Sequence, residues 1–389
     1  MKYLITLPAV CVVLFILTMA VAAKAGAERH AAEGVLAGIE VRTTVDSFIA
    51  KALLEAPSQA AVPAPWPDCE SLEHVPSAEA LQRLTRDLST DAATALLIHC
   101  LAAIPEIARA QQLFLESWGS ANADVTALAA KLRPHRDDYL LLFVPGWGYI
   151  EAGEATGANL RRPRELMNEL GFANQLVPLE DNGSVEENAE ILGAALRDAL
   201  TTGKRVILVS ASSGGPTVAA ALMAPDIAGH QGLAGWLNIC GVLNGSPVID
   251  SFSHWTRSWF LRVLALFEGW RYPDLLSLSR SQSTQRYRGF SAPPQLTIVN
   301  YIGIPFSGQV SDTGRLFYSL LRKSGPNDGL TLVTEAMAPG YTVLAVGSDH
   351  FINEDPAIEQ KTLALLPVML ELIEEERTLA ALTAPGPAP

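Results

Sequence analysis

Between residues 138 and 378 the chain alternates short, unbroken apolar runs with longer amphipathic stretches. Tyr139-Leu140-Leu141-Leu142-Phe143-Val144 is one such run, and Val206-Ile207-Leu208-Val209, behind Arg205, is another. Continuous runs of this length predict strands buried on both faces. Further strands are predicted over residues 174–179, 233–242, 295–302 and 342–346. Helices are predicted between them, over 160–170, from Ser184 to Leu200, over 213–222 and over 358–376. Ser184 with Glu187 three residues on forms a capping-box pattern. The last helix gathers Leu363, Leu365, Leu366, Met369, Leu370 and Ile373 toward one side. Strands alternating with helices imply an α/β class: a mainly parallel central sheet with helices on both faces.

Outside that alternation the rhythm differs. Residues 28–137 form an N-terminal extension expected to be helical. From 77 to 118, Leu81, Leu84, Leu88, Ala95, Leu97, Leu101, Ile104, Ile107 and Leu113 recur at helical spacing and predict two or three helices. Residues 28–72 are Ala-rich, and Pro63, Pro65 and Pro67 mark a loop or linker. A second interruption, at about 250–293, carries Phe252, Trp255, Trp259, Phe260, Leu264, Phe267 and Trp270, then a Ser/Arg/Gln-rich segment. It reads as a cap insertion over a site; the plainer alternative is one sheet-covering helix with a loop. Residues 379–389 read as a disordered tail.

The N-terminus changes the picture of compartment. Lys2 precedes an apolar stretch from Tyr3 to Ala23, and Ala20-Val21-Ala22 and Ala25-Gly26-Ala27 both fit a small-x-small cleavage site. Residues 1–27 are therefore either a cleaved signal peptide or a retained membrane anchor through 3–23. Both readings export the bulk of the chain, as a periplasmic, secreted or membrane-anchored protein. The net charge of −13 argues against a nucleic-acid partner, because phosphates would be repelled. Cys69 and Cys100 could pair in an oxidising compartment, whereas Cys240, in an apolar run, reads as a small buried hydrophobe. No Cys/His spacing resembles a metal site, so no metal is expected.

The chemistry concentrates in Val206-Ile207-Leu208-Val209-Ser210-Ala211-Ser212-Ser213-Gly214-Gly215. A buried strand runs into small residues and then a helix, the setting of a nucleophile elbow. There a serine stands on a tight strand-to-helix turn, with small neighbours two before and two after it. Ser210 and Gly214 hold those places around Ser212. The helix N-terminus beyond would aim backbone N–H groups at a developing oxyanion. A frame shifted by one would make Ser213 the nucleophile.

This segment resembles the Gly-x-Ser-x-Gly motif of the α/β-hydrolases, in the lipase and esterase style with x-Gly-Gly after the serine. It departs at the first glycine, which is Ser210. Three further matches follow in chain order. Pro145-Gly146-Trp147-Gly148 ends the first strong strand, where the family places its second oxyanion loop, often as His-Gly; by position the N–H groups of Trp147 and Ser213 would be the donors. Asn327-Asp328-Gly329 resembles the family's acid turn, with Asp312, Glu335 and Asp349 as rivals to Asp328. His350, in Gly347-Ser348-Asp349-His350-Phe351 beyond the last strand, sits where the family places its base. Asn244-Gly245-Ser246-Pro247 is a likeness of fold rather than of chemistry. The resemblance spans about residues 138–375.

The resemblance implies a serine hydrolase of the α/β-hydrolase fold, with Ser212, Asp328 and His350 as catalytic residues and no cofactor. Trp255, Trp259 and Phe260 of the insertion would bind an apolar, small-molecule or lipid-like ester. A thioesterase, amidase or acyltransferase would use the same residues. A non-catalytic binding protein of the same fold is the rival from another class, supported by the imperfect elbow and the missing His-Gly. An interaction module tethered to a membrane through the N-terminal segment is a third reading.

Overall fold

The computed structural model describes residues 29–57, 69–253, 259, 262, 265–266 and 269–383. The leader 1–27, the proline patch at 63–67, Trp255 and Phe260 lie outside the described residues.

Six strands make one parallel sheet: β3 (Tyr139–Val144), β4 (Ala173–Leu176), β5 (Arg205–Ala211), β6 (Leu233–Ile239), β7 (Thr297–Ile304) and β8 (Tyr341–Val346), in the order β4–β3–β5–β6–β7–β8. Every neighbouring pair is parallel. After β3 the chain first adds β4 on one side, then crosses to build β5 to β8 on the other. The carboxyl ends of β3 and β5 therefore flank the point where strand order reverses, which is where open parallel sheets leave a crevice.

Alternation along each strand feeds two cores. Leu140, Leu142, Val206, Leu208 and Trp236 point into one, against the helix Val185–Leu200. Leu141, Phe143, Ile207, Val209 and Leu237 point into the other, against the C-terminal helix Ile358–Thr383. The Ser184–Glu187 capping box is formed as the sequence predicts. The C-terminal helix continues through 379–383, residues expected to belong to the tail; Leu379, Ala380 and Ala381 are good helix formers and extend it.

The N-terminal extension is only partly helical. Residues His30–Leu36 (β1) and Ile39–Val45 (β2) form an antiparallel hairpin closed by Ala37-Gly38, both at positive φ. Ala32, Leu36, Ile39, Val41 and Val45 are buried, so the strand period is present but thinned by alanine. Helices α1 (Phe48–Glu55), α2 (Ala78–Asp87), α3 (Thr90–Ala103), α4 (Pro105–Ala123) and α5 (Val125–Leu132) follow. Cys69 and Cys100 form a disulfide that joins the segment before α2 to α3. Gln111 of α4 clasps the edge strand β8: its amide nitrogen donates to the Leu344 carbonyl and its oxygen accepts the Leu344 N–H at 2.8 Å. A buried side chain thus closes hydrogen-bonding groups that an open sheet edge would expose.

The insertion divides in two. Its later half, with the helix Arg280–Tyr287, packs Tyr287 and Phe290 on the sheet core, Phe290 edge-on to Trp236 with ring centroids 6.0 Å apart. That half covers the sheet rather than the site. Trp270, in the earlier half, meets the loop after β3, its ring edge-on to Trp147 at 6.0 Å.

Candidate active site

Ser212 follows β5 directly and has φ +53°, a left-handed conformation that costs a non-glycine residue about 1 kcal/mol or more. The turn is held from β6: the Ser212 N–H donates to the Ile239 carbonyl at 3.0 Å, and the Ser212 carbonyl accepts from Val242 and Gly215. The helix Gly214–Ala221 begins two residues on. A Cβ on Gly214 would stand 2.5 Å from the Val144 carbonyl oxygen, and one on Gly215 would stand 2.9 Å from the Gly241 Cα. Neither position has room for a side chain. The departure at Ser210 also has a local cause. Its buried hydroxyl accepts the Trp236 indole N–H at 2.8 Å, so a glycine there would orphan a buried donor.

His350 lies on the loop after β8, and its backbone N–H donates to the Asp328 carbonyl at 2.7 Å. Its Nδ1 is 2.8 Å from Asp328 Oδ2 and its Nε2 is 2.9 Å from Ser212 Oγ. An ionised carboxylate only accepts, so Nδ1 carries the proton and Nε2 is left to accept from the serine hydroxyl. Asp328 is fully buried and its other oxygen accepts the N–H groups of Leu330 and Thr331, at 2.9 and 2.8 Å. The acid loop is clasped in turn by the Asn244-Gly245-Ser246 turn. Ser246 Oγ donates to the Leu330 carbonyl, and Thr331 Oγ1 donates to the Gly245 carbonyl at 3.1 Å. The turn, whose likeness in sequence is one of fold, thus also holds the acid loop.

The rival acids are committed elsewhere. Asp349 accepts from the Ser311 and Phe351 N–H groups, and burial pushes its carboxyl above the usual range. Glu335 is ion-paired with Arg280, and Asp312, exposed, with Arg315. The alternative serine, Ser213, makes no bond with the imidazole.

The loop after β3 closes on the same serine. A Cβ on Gly146 would be 3.1 Å from the Ser212 Cβ, so backbone here passes against Ser212. The Gly146 N–H is taken by the Ala158 carbonyl, whereas the N–H groups of Trp147 and Ser213 have no acceptor among the described residues. The indole nitrogens of Trp147 and Trp270 are buried, also without a partner among the described residues. Trp259, expected to bind substrate, exposes 57% of its surface; the ring that reaches the site loop is Trp270. A cavity of about 500 Å³ lies at the other end of the sheet, lined by Lys131, Pro367 and Glu374, the last bonded to Arg205 at the start of β5. Among the described residues no group of three or more His, Cys, Asp or Glu is placed to hold a metal.

No protein-family model matches the chain, and no curated protein does. Among solved structures it is similar to the metagenomic carboxyl esterase MGS0156, with TM-score 0.50 and 22% identity, over 61% of this chain and 76% of that one. It is also similar to the lipase BlEst2 of Bacillus licheniformis in mature form, with TM-score 0.46 and 20% identity, over 60% of this chain and 91% of that one. The sheet topology together with the first likeness shows an α/β-hydrolase fold.

Proposed function

We propose that this chain is a serine hydrolase that cleaves carboxylic esters of apolar substrates through an acyl-enzyme. The observation that carries the reading is the continuous relay from Ser212 Oγ to His350 Nε2 and from His350 Nδ1 to Asp328, at 2.9 and 2.8 Å. His350 takes the hydroxyl proton as Ser212 Oγ attacks the ester carbonyl carbon. The N–H groups of Ser213 and Trp147 receive the oxyanion, helped by the positive end of the helix Gly214–Ala221. Collapse of the tetrahedral intermediate breaks the carbon–oxygen bond of the ester, and His350 protonates the departing alkoxide. Water, deprotonated by His350, then releases the acid and frees Ser212. Asp328 holds the imidazole in its productive tautomer and stabilises the imidazolium.

Apolar specificity is supported by the ring pair Trp147–Trp270 beside the site and by the aromatic composition of the insertion. Export, with membrane association as one form of it, is supported by the apolar N-terminal segment and by a disulfide of the kind that persists outside the cytosol. The test is steady-state hydrolysis of p-nitrophenyl esters of graded acyl length. Wild type should turn over medium-chain esters, and Ser212→Ala or His350→Ala should lose at least about 10⁴-fold in kcat. Equal residual activity in wild type and both variants would rule the reading out.

A further inference from the structure

Lys361 is the buried cation of the C-terminal helix, 5% exposed, and it faces neither solvent nor substrate. Its ammonium donates to Asp355 Oδ2 at 2.5 Å and to Ser348 Oγ at 3.3 Å, while Ser348 Oγ donates to the same carboxylate oxygen. The Asp355 carboxylate also accepts the Ala357 N–H. Burial would raise the Asp355 carboxyl, yet the bonds from Lys361 and Ser348 hold it below the usual range. The ammonium lies 5.1 Å from the ring centre of Trp118 on α4, which seals it from the side of the N-terminal extension.

A buried ion pair gains little stability over well-packed apolar residues, because both charges must leave water. What this one does is geometric. Ser348 stands two residues before His350, and Asp355 five after it, so the three polar groups close the base of the loop that carries the imidazole. The loop sits directly on β7: a Cβ on Gly303 would fall 2.8 Å from the Ser348 carbonyl oxygen and 2.7 Å from that of Asp349. Among the described residues, His350 is clasped on the acid side through Asp328, by one backbone and one ring bond.

We infer that Lys361 is a positioning residue for His350, its ion pair with Asp355, closed through Ser348, fixing the loop that aims the imidazole at Ser212. The inference rests on the proposed hydrolase reading for its kinetic consequence but not for its geometric one. Misaiming a general base by a fraction of an ångström lowers the chemical step and leaves ground-state binding alone. The experiment uses full-length protein, with Lys361→Met and Ser348→Ala, and two readouts. The first is p-nitrophenyl butyrate kinetics: kcat should fall about tenfold in Lys361→Met and less in Ser348→Ala, with KM unchanged. The second is the low-field proton resonance of the His350–Asp328 bond, assigned by its loss in His350→Ala. It should be sharp in wild type and broadened or lost in both variants.

Folded variants that keep wild-type kcat and a wild-type resonance would overturn the inference, as would a change confined to KM. If Lys361→Met does not fold, Ser348→Ala decides by the same two readouts. A wild type that shows the resonance but cleaves no ester defeats the hydrolase reading alone, and the resonance in the variants still decides the positioning role. A wild type without the resonance overturns the inference.

Discussion

Ser212 sits in a left-handed turn at φ +53°, a conformation that glycine adopts without strain. Glycine at that position relieves the backbone and removes the hydroxyl, so Ser212→Gly should raise the unfolding free energy by up to about 1 kcal/mol while abolishing turnover. Denaturant unfolding beside ester kinetics separates the two effects; a variant both inactive and less stable would contradict the strain. Ser210→Gly restores the more usual small residue at the elbow but leaves the Trp236 indole N–H without its acceptor. A loss of about 1–2 kcal/mol is expected, read as a lower unfolding midpoint in urea. Asp328→Asn should keep the fold and lower kcat by about 10⁴-fold, because the amide cannot hold the productive tautomer. Ser212, Asp328 and His350 were legible because each sits beside a turn or a strand end that the sequence marks. The partner of Ser210 was not, since Trp236 lies on the neighbouring strand and only sheet register brings it near.

Among the elements, apolar strands and capped helices could be read directly, because strands buried on both faces are mostly apolar, with single polar residues such as Asn238 and Asn300 too few to blur them. The hairpin of β1 and β2 could not: alanines stand where larger apolar residues would mark a period of two, and composition there favours helix. The hairpin joins α3 through Asp91. This carboxylate accepts the N–H groups of Asp46 and Ser307 and the Ser307 hydroxyl, binding the extension to the loop after β7. Burial, and then the charge of Asp46, raise the Asp91 carboxyl to about 6. A folded value above that of an unfolded aspartate means that this contribution to stability is complete at acid pH, below about 4. It is lost as pH rises through about 6. Wild type should therefore lose stability relative to Asp91→Asn between about pH 4 and about pH 6.5, and no further above that. Urea unfolding of both proteins across that range checks this, and parallel curves would contradict it.

For the whole molecule, the site follows from the order of strands. The reversal between β4 and β5 puts the ends of β3 and β5 side by side, so the Trp147 loop and the Ser212 turn face one crevice. Alternation of elements made the parallel sheet readable, but the strand order depends on crossovers that local pattern does not encode. The split of the insertion between sheet cover and site loop is likewise a matter of tertiary contact, since its aromatic residues look alike in sequence. The Cys69–Cys100 bond closes a separation of 31 residues, and its loss should cost about 3–4 kcal/mol through the entropy of the unfolded chain. Neither sulfur touches the site, so a double serine variant should unfold earlier in denaturant yet keep kcat; a fall in kcat in the folded variant would show that the extension's anchor reaches the chemistry.

Covalent trapping shows whether Ser212 is a nucleophile activated by His350. A fluorophosphonate should add one phosphonyl group to the folded protein, mapped by peptide mass to Ser212, with labelling lost in Ser212→Ala and slowed by orders of magnitude in His350→Ala. A folded wild type that resists the reagent, or a His350→Ala variant labelled as fast as wild type, would mean that Ser212 is not a nucleophile activated by His350.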